Sequence, residues 1–223
     1  MDIVYILGTG STWQNNEIRY SLRSVSKNIS DLGRVFVIGE HPEFLQNIFH
    51  ISAGDIYGQK WQNAFHKINI ACESPLLSDD FLLMNDDFFI FKTIVAAKYP
   101  YYFKGEMPNF AVKKQYYKNF KRKSIFDYRV HRPFRYNKKK FLSMIDLDIK
   151  WDSVSVRSYY GNCFAVAGQR CQDINFPPSL KEKDFDRILG KRTDMSIFSD
   201  TAKNPEFQKW INKKFPEKSI FEV

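Results

Sequence analysis

No apolar run in this chain approaches the roughly 20 residues that a membrane-spanning helix needs, and no internal repeat or Gly/Ser-rich linker breaks it up. Its three cysteines, Cys72, Cys163 and Cys171, lack CxxC spacing. That excludes a disulfide framework and a structural zinc site, and points to reduced thiols in a cytoplasmic protein. The opening MDIVYILGTGS has neither a basic stretch nor a long apolar core, so it reads as a first core strand rather than a signal peptide. Its Gly8-Thr9-Gly10-Ser11 lacks the third glycine of a dinucleotide fingerprint and the lysine of a P-loop. Acidic residues are scarce in one place. Residues 101–150 carry 14 Lys and Arg against 4 Asp and Glu, whereas residues 1–100 carry 8 against 11. The net charge of +9 therefore sits in a middle segment. Such a block favours a polyanionic partner: nucleic acid, an anionic glycan or an acidic membrane surface. The plainer alternative is a solvated surface that only aids solubility.

What is present is enough for a core. At 43% hydrophobic and 17% aromatic, 223 residues fold as one compact unit. A strand at 2–7 runs into the 8–11 loop, the way α/β proteins bring backbone N–H groups to a phosphate, or else simply a tight turn. NNEIRYSLRSVSKN at 15–28 is a helix, capped by Asn15 or Asn16, with Ile18, Leu22, Val25 and Ile29 as its buried stripe. Arg19 and Arg23 share another face and could meet phosphates or carboxylates; Glu17 may be no more than a complement to the helix dipole. Strands follow at 33–40 and 48–52, and a helix at 60–72 with Trp61, Phe65, Ile68 and Cys72 as its stripe. Asn63 and Lys67 fall on a neighbouring face.

The next stretch, DDFLLMNDDFFIF at 79–91, organises the chain. Apolar runs on both sides of Asn85-Asp86-Asp87 read as strand, turn and strand. Two adjacent carboxylates at the end of a buried strand are costly unless compensated. A divalent cation holding a diphosphate would compensate them; an ordinary polar turn is the other reading. The order β-α-β-β-α-β gives an open α/β sheet, whose ligands bind beyond the strand carboxyl ends, where the 8–11 loop and Asp86-Asp87 can converge.

In the second half, KKQYYKNFKRK at 113–123 interleaves six basic residues with Tyr116, Tyr117 and Phe120. Charge for phosphates and rings for stacking suit a single strand or an extruded base; a helix with its aromatics packed and its lysines in water would look the same. Arg129, Arg132 and Arg135 extend the basic run. Residues 151–168 alternate and read as β-rich, with Arg157, Tyr160 and Asn162 as candidate contacts. Residues 185–189 and 194–198 read as short helical pieces. EFQKWINKKF at 206–215 is an amphipathic docking helix.

Residues 17–24, 35–38, 60–71 and 81–89 together resemble the Stealth-type sugar-phosphate transferases and related phage and bacterial glycosyltransferases of GT-A type. The resemblance covers residues 1–92 and rests beyond them mainly on His131-Arg132-Pro133. It implies a GT-A-like open mixed sheet flanked by helices, with 1–100 as a nucleotide-sugar-binding half and 101–223 as a basic acceptor-binding half of the same domain. It also implies that Asp86 and Asp87 hold Mn²⁺ or Mg²⁺ on the diphosphate of a UDP-sugar-like donor, with His131 as a further ligand. His131 reads equally as a phosphate contact or a surface histidine. The chain departs from the Stealth pattern in its first loop, which bears no acid.

These readings combine into a metal-dependent glycosyltransferase. Gly8, Thr9, Gly10, Ser11, Arg19, Arg23, Asn63 and Lys67 would contact the nucleotide. Asp87 and Arg157 would serve the chemistry, Arg157 by stabilising the leaving diphosphate. Lys113, Lys114, Tyr116, Lys121, Arg122, Lys123, Arg132 and Arg135 would hold a polyanionic acceptor, a modified base in phage-type DNA ahead of an anionic glycan. The alternatives are a sugar-1-phosphate transferase of surface polysaccharide synthesis and a non-catalytic nucleic-acid-binding module. The catalytic base, with Asp127, Asp152 and Asp200 among the acids available, has no assignment from sequence.

Overall fold

A computed structural model describes residues 1–107, 120, 124–145 and 155–223 of the chain. The first half contains β1 (Asp2–Leu7), α1 (Asn16–Asn28), β2 (Val35–Gly39), β3 (Phe49–Ile51), α2 (Lys60–Glu73), β4 (Asp80–Met84) and β5 (Phe88–Ile90). After β6 (Tyr101–Phe103) come β7 (Phe134–Asn137), α3 (Lys138–Leu142), α4 (Val156–Cys163), β8 (Gly168–Arg170) and β9 (Asn175–Phe176). The chain ends with α5 (Glu182–Leu189), β10 (Asp194–Ile197), α6 (Ser199–Ala202) and α7 (Pro205–Lys214). The basic stretch with Lys113, Lys114, Tyr116, Lys121, Arg122 and Lys123 lies outside the described residues, as does Asp152.

The central sheet runs β3-β2-β1-β4-β7, parallel throughout except for β7. Strands buried on both faces read as near-continuous apolar runs, and β1 and β2 do. Alternate side chains sort to the two sides. Ile3, Tyr5 and Leu7 pack with Ile18, Leu22 and Val25 of α1. Val4 packs on the other face with Ile68, Ala71 and Cys72 of α2. A second sheet, β5-β10-β9, carries an aromatic cluster with α5 and α7 that includes Phe89, Phe176, Phe185, Phe207 and Trp210. The chain thus leaves the central sheet at Asn85-Asp86-Asp87 and enters the second sheet at Phe88.

One polar line on α1 governs that crossing. Glu17, Ser21, Ser24 and Asn28 recur at three- and four-residue spacing and are all buried. Ser21 Oγ donates to the Phe88 carbonyl at 2.5 Å and meets Tyr5 Oη at 2.8 Å. Ser24 Oγ accepts from Ile90 N at 2.9 Å, and Asn28 Nδ2 donates to the Ile90 carbonyl at 2.7 Å. Helix side chains therefore satisfy the backbone edge of β5 that no strand covers, as buried peptide groups require.

Three sequence expectations need correction. Residues 156–163 are helical, not β: Asn162 accepts from Phe126 N at 2.9 Å, and Ser158 from Tyr128 N at 3.0 Å, both from one helix face. Residues 194–197 are a strand, not a helical piece, because they fill the gap between β5 and β9. Asn15, at the head of α1, makes no side-chain cap; Ser11 Oγ instead accepts from Asn15 N at 2.7 Å.

The chain terminus is latched onto α1. Arg23 meets the fully buried Glu222 carboxylate at 2.8 Å, and Arg19 reaches it at 3.0 Å. Burial alone would raise the Glu222 pKa, but Arg23 and the Ser219 amide outweigh it and hold the group below its ordinary value. Removing one partner of a buried pair strands the other charge. Glu222→Ala should therefore cost about 3 kcal/mol, read as a lower urea midpoint; an unchanged midpoint would show the latch to be energetically idle.

Candidate active site

The carboxyl ends of β1 and β4 open into a cavity of about 680 Å³. The 8–11 loop forms one wall, and Asn85, Asp86 and Asp87 form the other. His131 and Ser199 close the far side. Loop and carboxylates do converge, as the strand order requires.

The loop is tightly built. Gly39 sits at φ +121°, where a Cβ would stand 1.9 Å from the Leu7 carbonyl, so only glycine lets β2 end beside β1. Lys67 is buried beneath the loop, donating to that same Leu7 carbonyl at 2.8 Å and to Asp55 at 2.6 Å. Asn63 spends its side-chain amide on both backbone groups of Tyr57, at 2.8 Å each. Both residues line the cavity, but they hold the loops that shape it. Two acids approach the acid-free first loop: Ser11 Oγ donates to Glu17 at 2.7 Å, and Asp55 stands against Gly8.

Asp86 and Asp87 carry the electrostatic strain. Burial, then the nearby Glu17 charge, pushes the Asp86 pKa up to about 6. Burial and the Asp86 charge push Asp87 up to about 7, against the pull of His131 and Arg157. Asp87 Oδ1 is buried with no hydrogen-bond partner. An orphaned carboxylate oxygen beside a second carboxylate, with an imidazole across the cavity, is a donor set that fits a hard divalent cation. Among the described residues no three His, Cys, Asp or Glu side chains hold a cation by themselves. Further oxygens would have to come from a ligand or water.

His131 is braced for such a role. Its backbone N–H donates to Asp173 at 2.8 Å, its Nδ1 meets the other Asp173 oxygen at 2.9 Å, and Lys104 pairs with Asp173 at 2.9 Å. Burial works to raise Asp173, but the His131 and Lys104 hydrogen bonds overcome it and hold the carboxyl well below its usual range. An ionised carboxylate on Nδ1 leaves Nε2 for the cavity.

The structure separates the other candidates. Arg19 and Arg23 are committed to Glu222 and do not line the cavity. Arg132 is bound bidentately to Asp194, at 2.7 Å for both contacts, and stacks on Tyr102. Arg135 donates to the Ala97 carbonyl at 2.7 Å and lies over Tyr101. Both are engaged within the fold, Arg132 bracing the segment that carries His131, and the 113–123 stretch expected to share a face with them lies outside the described residues. Arg157 lies in a second cavity of about 790 Å³, beside rather than within the first. It donates to the Val130 and Arg132 carbonyls at 2.6 and 2.9 Å and reaches Asn85 at 3.4 Å. Of the residues sequence reasoning passed over, Glu17 had a signal in its place on the Ser21, Ser24 and Asn28 line. Asp173 had none, because its partner is 42 residues away.

A carboxyl whose pKa is raised by folding keeps its proton longer in the native state. The stability from Asp86 and Asp87 is therefore full below their unfolded value of about 3.9 and is lost as pH rises through about 6 and about 7. In EDTA the protein should lose stability between about pH 4 and pH 7, and Asp87→Asn should flatten that slope in denaturant titrations. Equal slopes in the two proteins would show that the pair is not strained.

No family model and no curated protein matches the sequence. Among solved structures, the galactosyltransferase LgtC in complex with donor and acceptor sugar analogs aligns over 98% of this chain and 96% of its own, at 11% identity and a TM-score of 0.57. An active-site mutant of LgtC aligns over 88% and 87%, at 13% identity and a TM-score of 0.48. The likeness supports the GT-A side of the sequence resemblance rather than its Stealth or phage side. The chain has a mixed α/β fold, with a central mixed sheet flanked by helices, matching the GT-A-like fold of LgtC.

Proposed function

We propose that the protein is a metal-dependent glycosyltransferase that draws on a nucleotide-sugar donor, with a UDP-sugar as the first choice. The observation that carries this reading is the buried, unpartnered Asp87 oxygen beside Asp86, in a turn that lines one cavity together with the 8–11 loop. The neighbour LgtC was solved with donor and acceptor sugar analogs, which agrees with a sugar-transferring reading of this fold.

In this reading the diphosphate lies between the 8–11 loop and Asp86-Asp87. Mn²⁺ or Mg²⁺ bound there would supply Lewis acidity and charge neutralisation to the leaving diphosphate. Asp86 and Asp87 would hold it, with His131 Nε2 from the opposite wall. Glu17 keeps negative charge next to Asp86 and so favours cation entry. Asp173 fixes the His131 ring. Arg157 ties Asn85 to the His131 segment, which fixes the distance across the site; its guanidinium serves geometry rather than the leaving group. The acceptor in this proposal is a polyanion, DNA ahead of anionic glycan, and that choice rests on the charge of residues 101–150.

Thermal-shift titration of nucleotide sugars with and without Mn²⁺ tests the donor site. A donor at about 100 times its dissociation constant stabilises by roughly 2.7 kcal/mol. That shift should require the metal and vanish in Asp86→Ala. Asp173→Ala should weaken Mn²⁺ by about tenfold or more while leaving the fold intact by circular dichroism. If no donor shifts the protein, yet salt-sensitive DNA binding survives Asp86→Ala, the chain is a binding module. Hydrolysis or transfer of a sugar 1-phosphate unit would favour the sugar-phosphate transferase instead.

A further inference from the structure

The second cavity has a charge pattern that the donor site does not explain. Its volume is about 790 Å³, and it shares Ile6, Trp61, Ala64, Asn85 and His131 with the first cavity. The two spaces thus meet along one wall. Their linings differ in sign. The donor cavity is lined by four acids, Glu17, Asp55, Asp86 and Asp87, against two lysines, Lys60 and Lys67. The second is lined by Lys104, Arg129 and Arg157, with no acid among its described lining residues.

Each cation is held in place. Lys104 is backed by Asp173 at 2.9 Å, and Arg129 by Asp127 at 2.6 Å. Neither acid belongs to the cavity wall, while Lys104 and Arg129 keep 41% and 49% of their side-chain surface exposed. Arg157 lies deeper. Its hydrogen-bond partners are two backbone carbonyls and one amide oxygen, all neutral. No carboxylate stands within ion-pair distance of it among the described residues. A guanidinium set deep in the fold without a counter-ion costs free energy that an anion would recover. Between the cations the floor is apolar, formed by residues such as Ile68, Leu83, Phe88 and Val156. It suits the face of a sugar or base.

We infer that the second cavity is the acceptor site and that it selects an acceptor unit bearing its own anionic group, a phosphate or a carboxylate, seated on Lys104, Arg129 and Arg157. This rests on the glycosyltransferase reading for the word acceptor, but the anion site stands on its own geometry. The acceptor hydroxyl would then approach the donor across Asn85 and His131. The anion would lie on the side away from Asp86 and Asp87, where like charge is furthest. The proposal moves acceptor recognition from the 113–123 stretch alone to a built cavity, with Lys104 and Arg129 as specificity-determining residues.

The test is an NMR titration in EDTA, where no metal can draw an anion into the acidic donor cavity. The probes are glucose, glucuronate, glucose 6-phosphate and a dithymidine phosphodiester. At least one anionic probe should bind about tenfold tighter than glucose and lose that margin when Lys104→Gln and Arg129→Gln are combined. A preference for the phosphodiester identifies a nucleic-acid source, and a preference for either sugar anion identifies a glycan source. Equal binding of glucose and all the anions, no binding of any probe, or anion binding unchanged in the double variant would overturn the proposal. Donor shifts with Mn²⁺, measured on the wild type and on Arg129→Gln alone, are expected to be equal, because Arg129 pairs with Asp127 and does not touch the Asp173–His131 brace. If they are absent in both while anion binding holds, the transferase reading fails and the anion site remains.

Discussion

Everything around the candidate site answers to one constraint: two neighbouring carboxylates are kept in a low-dielectric turn with one oxygen unpaired. Such an arrangement persists only if the surrounding structure over-determines it. Here the turn is fixed from four directions. Phe88 N bonds to the Asn85 carbonyl within the turn. Ile197 N from β10 reaches the Asp87 carbonyl. The Ser21 hydroxyl holds the Phe88 carbonyl from the helix side. Arg157 reaches Asn85 from α4. The turn is held by these bonds while Asp87 keeps one carboxylate oxygen unpartnered.

The α1 helix shows how one short sequence serves two purposes without conflict. Its apolar stripe docks on the central sheet. A quarter turn away, Glu17, Ser21, Ser24 and Asn28 run along β5 and end at Asp86. Arg19 and Arg23 take the remaining side and fasten the chain terminus through Glu222. Arginines one turn apart on a helix near a predicted phosphate site are natural candidates for phosphate. They are drawn off because a buried carboxylate 199 residues away offers a bidentate partner. Helical spacing tells which residues share a face, but not what that face meets.

That distinction marks the limit of what the sequence made legible. The parallel core, α1, α2 and the Asp86-Asp87 turn were all readable, because each depends on local periodicity and on the rule that ligands bind at strand carboxyl ends. The errors lie where distant elements decide. Residues 194–197 are too short to carry a pattern and become a strand only because β5 and β9 flank them. Residues 156–163 contain Val, Tyr and Arg in strand-like alternation, yet the Ser158 and Asn162 bonds to backbone at 126–128 favour a helix. Trp61 was placed on the buried stripe of α2 but is 44% exposed at the rim shared by both cavities. Charge misled in the same way. Arg132 looked like part of a basic face, but it is bound bidentately to Asp194, whose carboxylate also accepts from Tyr99 and Thr193.

The opposite signs of the two cavities have a consequence for how a transfer reaction is ordered in space. A leaving diphosphate and an anionic acceptor repel each other, and in one undivided pocket that repulsion would fall on the reacting pair. In the proposed transferase the acids would gather the cation, and with it the diphosphate, on the loop side. Lys104, Arg129 and Arg157 hold their charge on the other side of Asn85 and His131. His131 stands in both linings, and its bracing acid, Asp173, also pairs with Lys104. A ligand anion that draws on Lys104 therefore competes with Asp173 for the same ammonium, and Asp173 is the group that fixes the His131 ring. In that reading the occupancy of one cavity would bear on the geometry of the other through Lys104, Asp173 and His131, which are in direct contact.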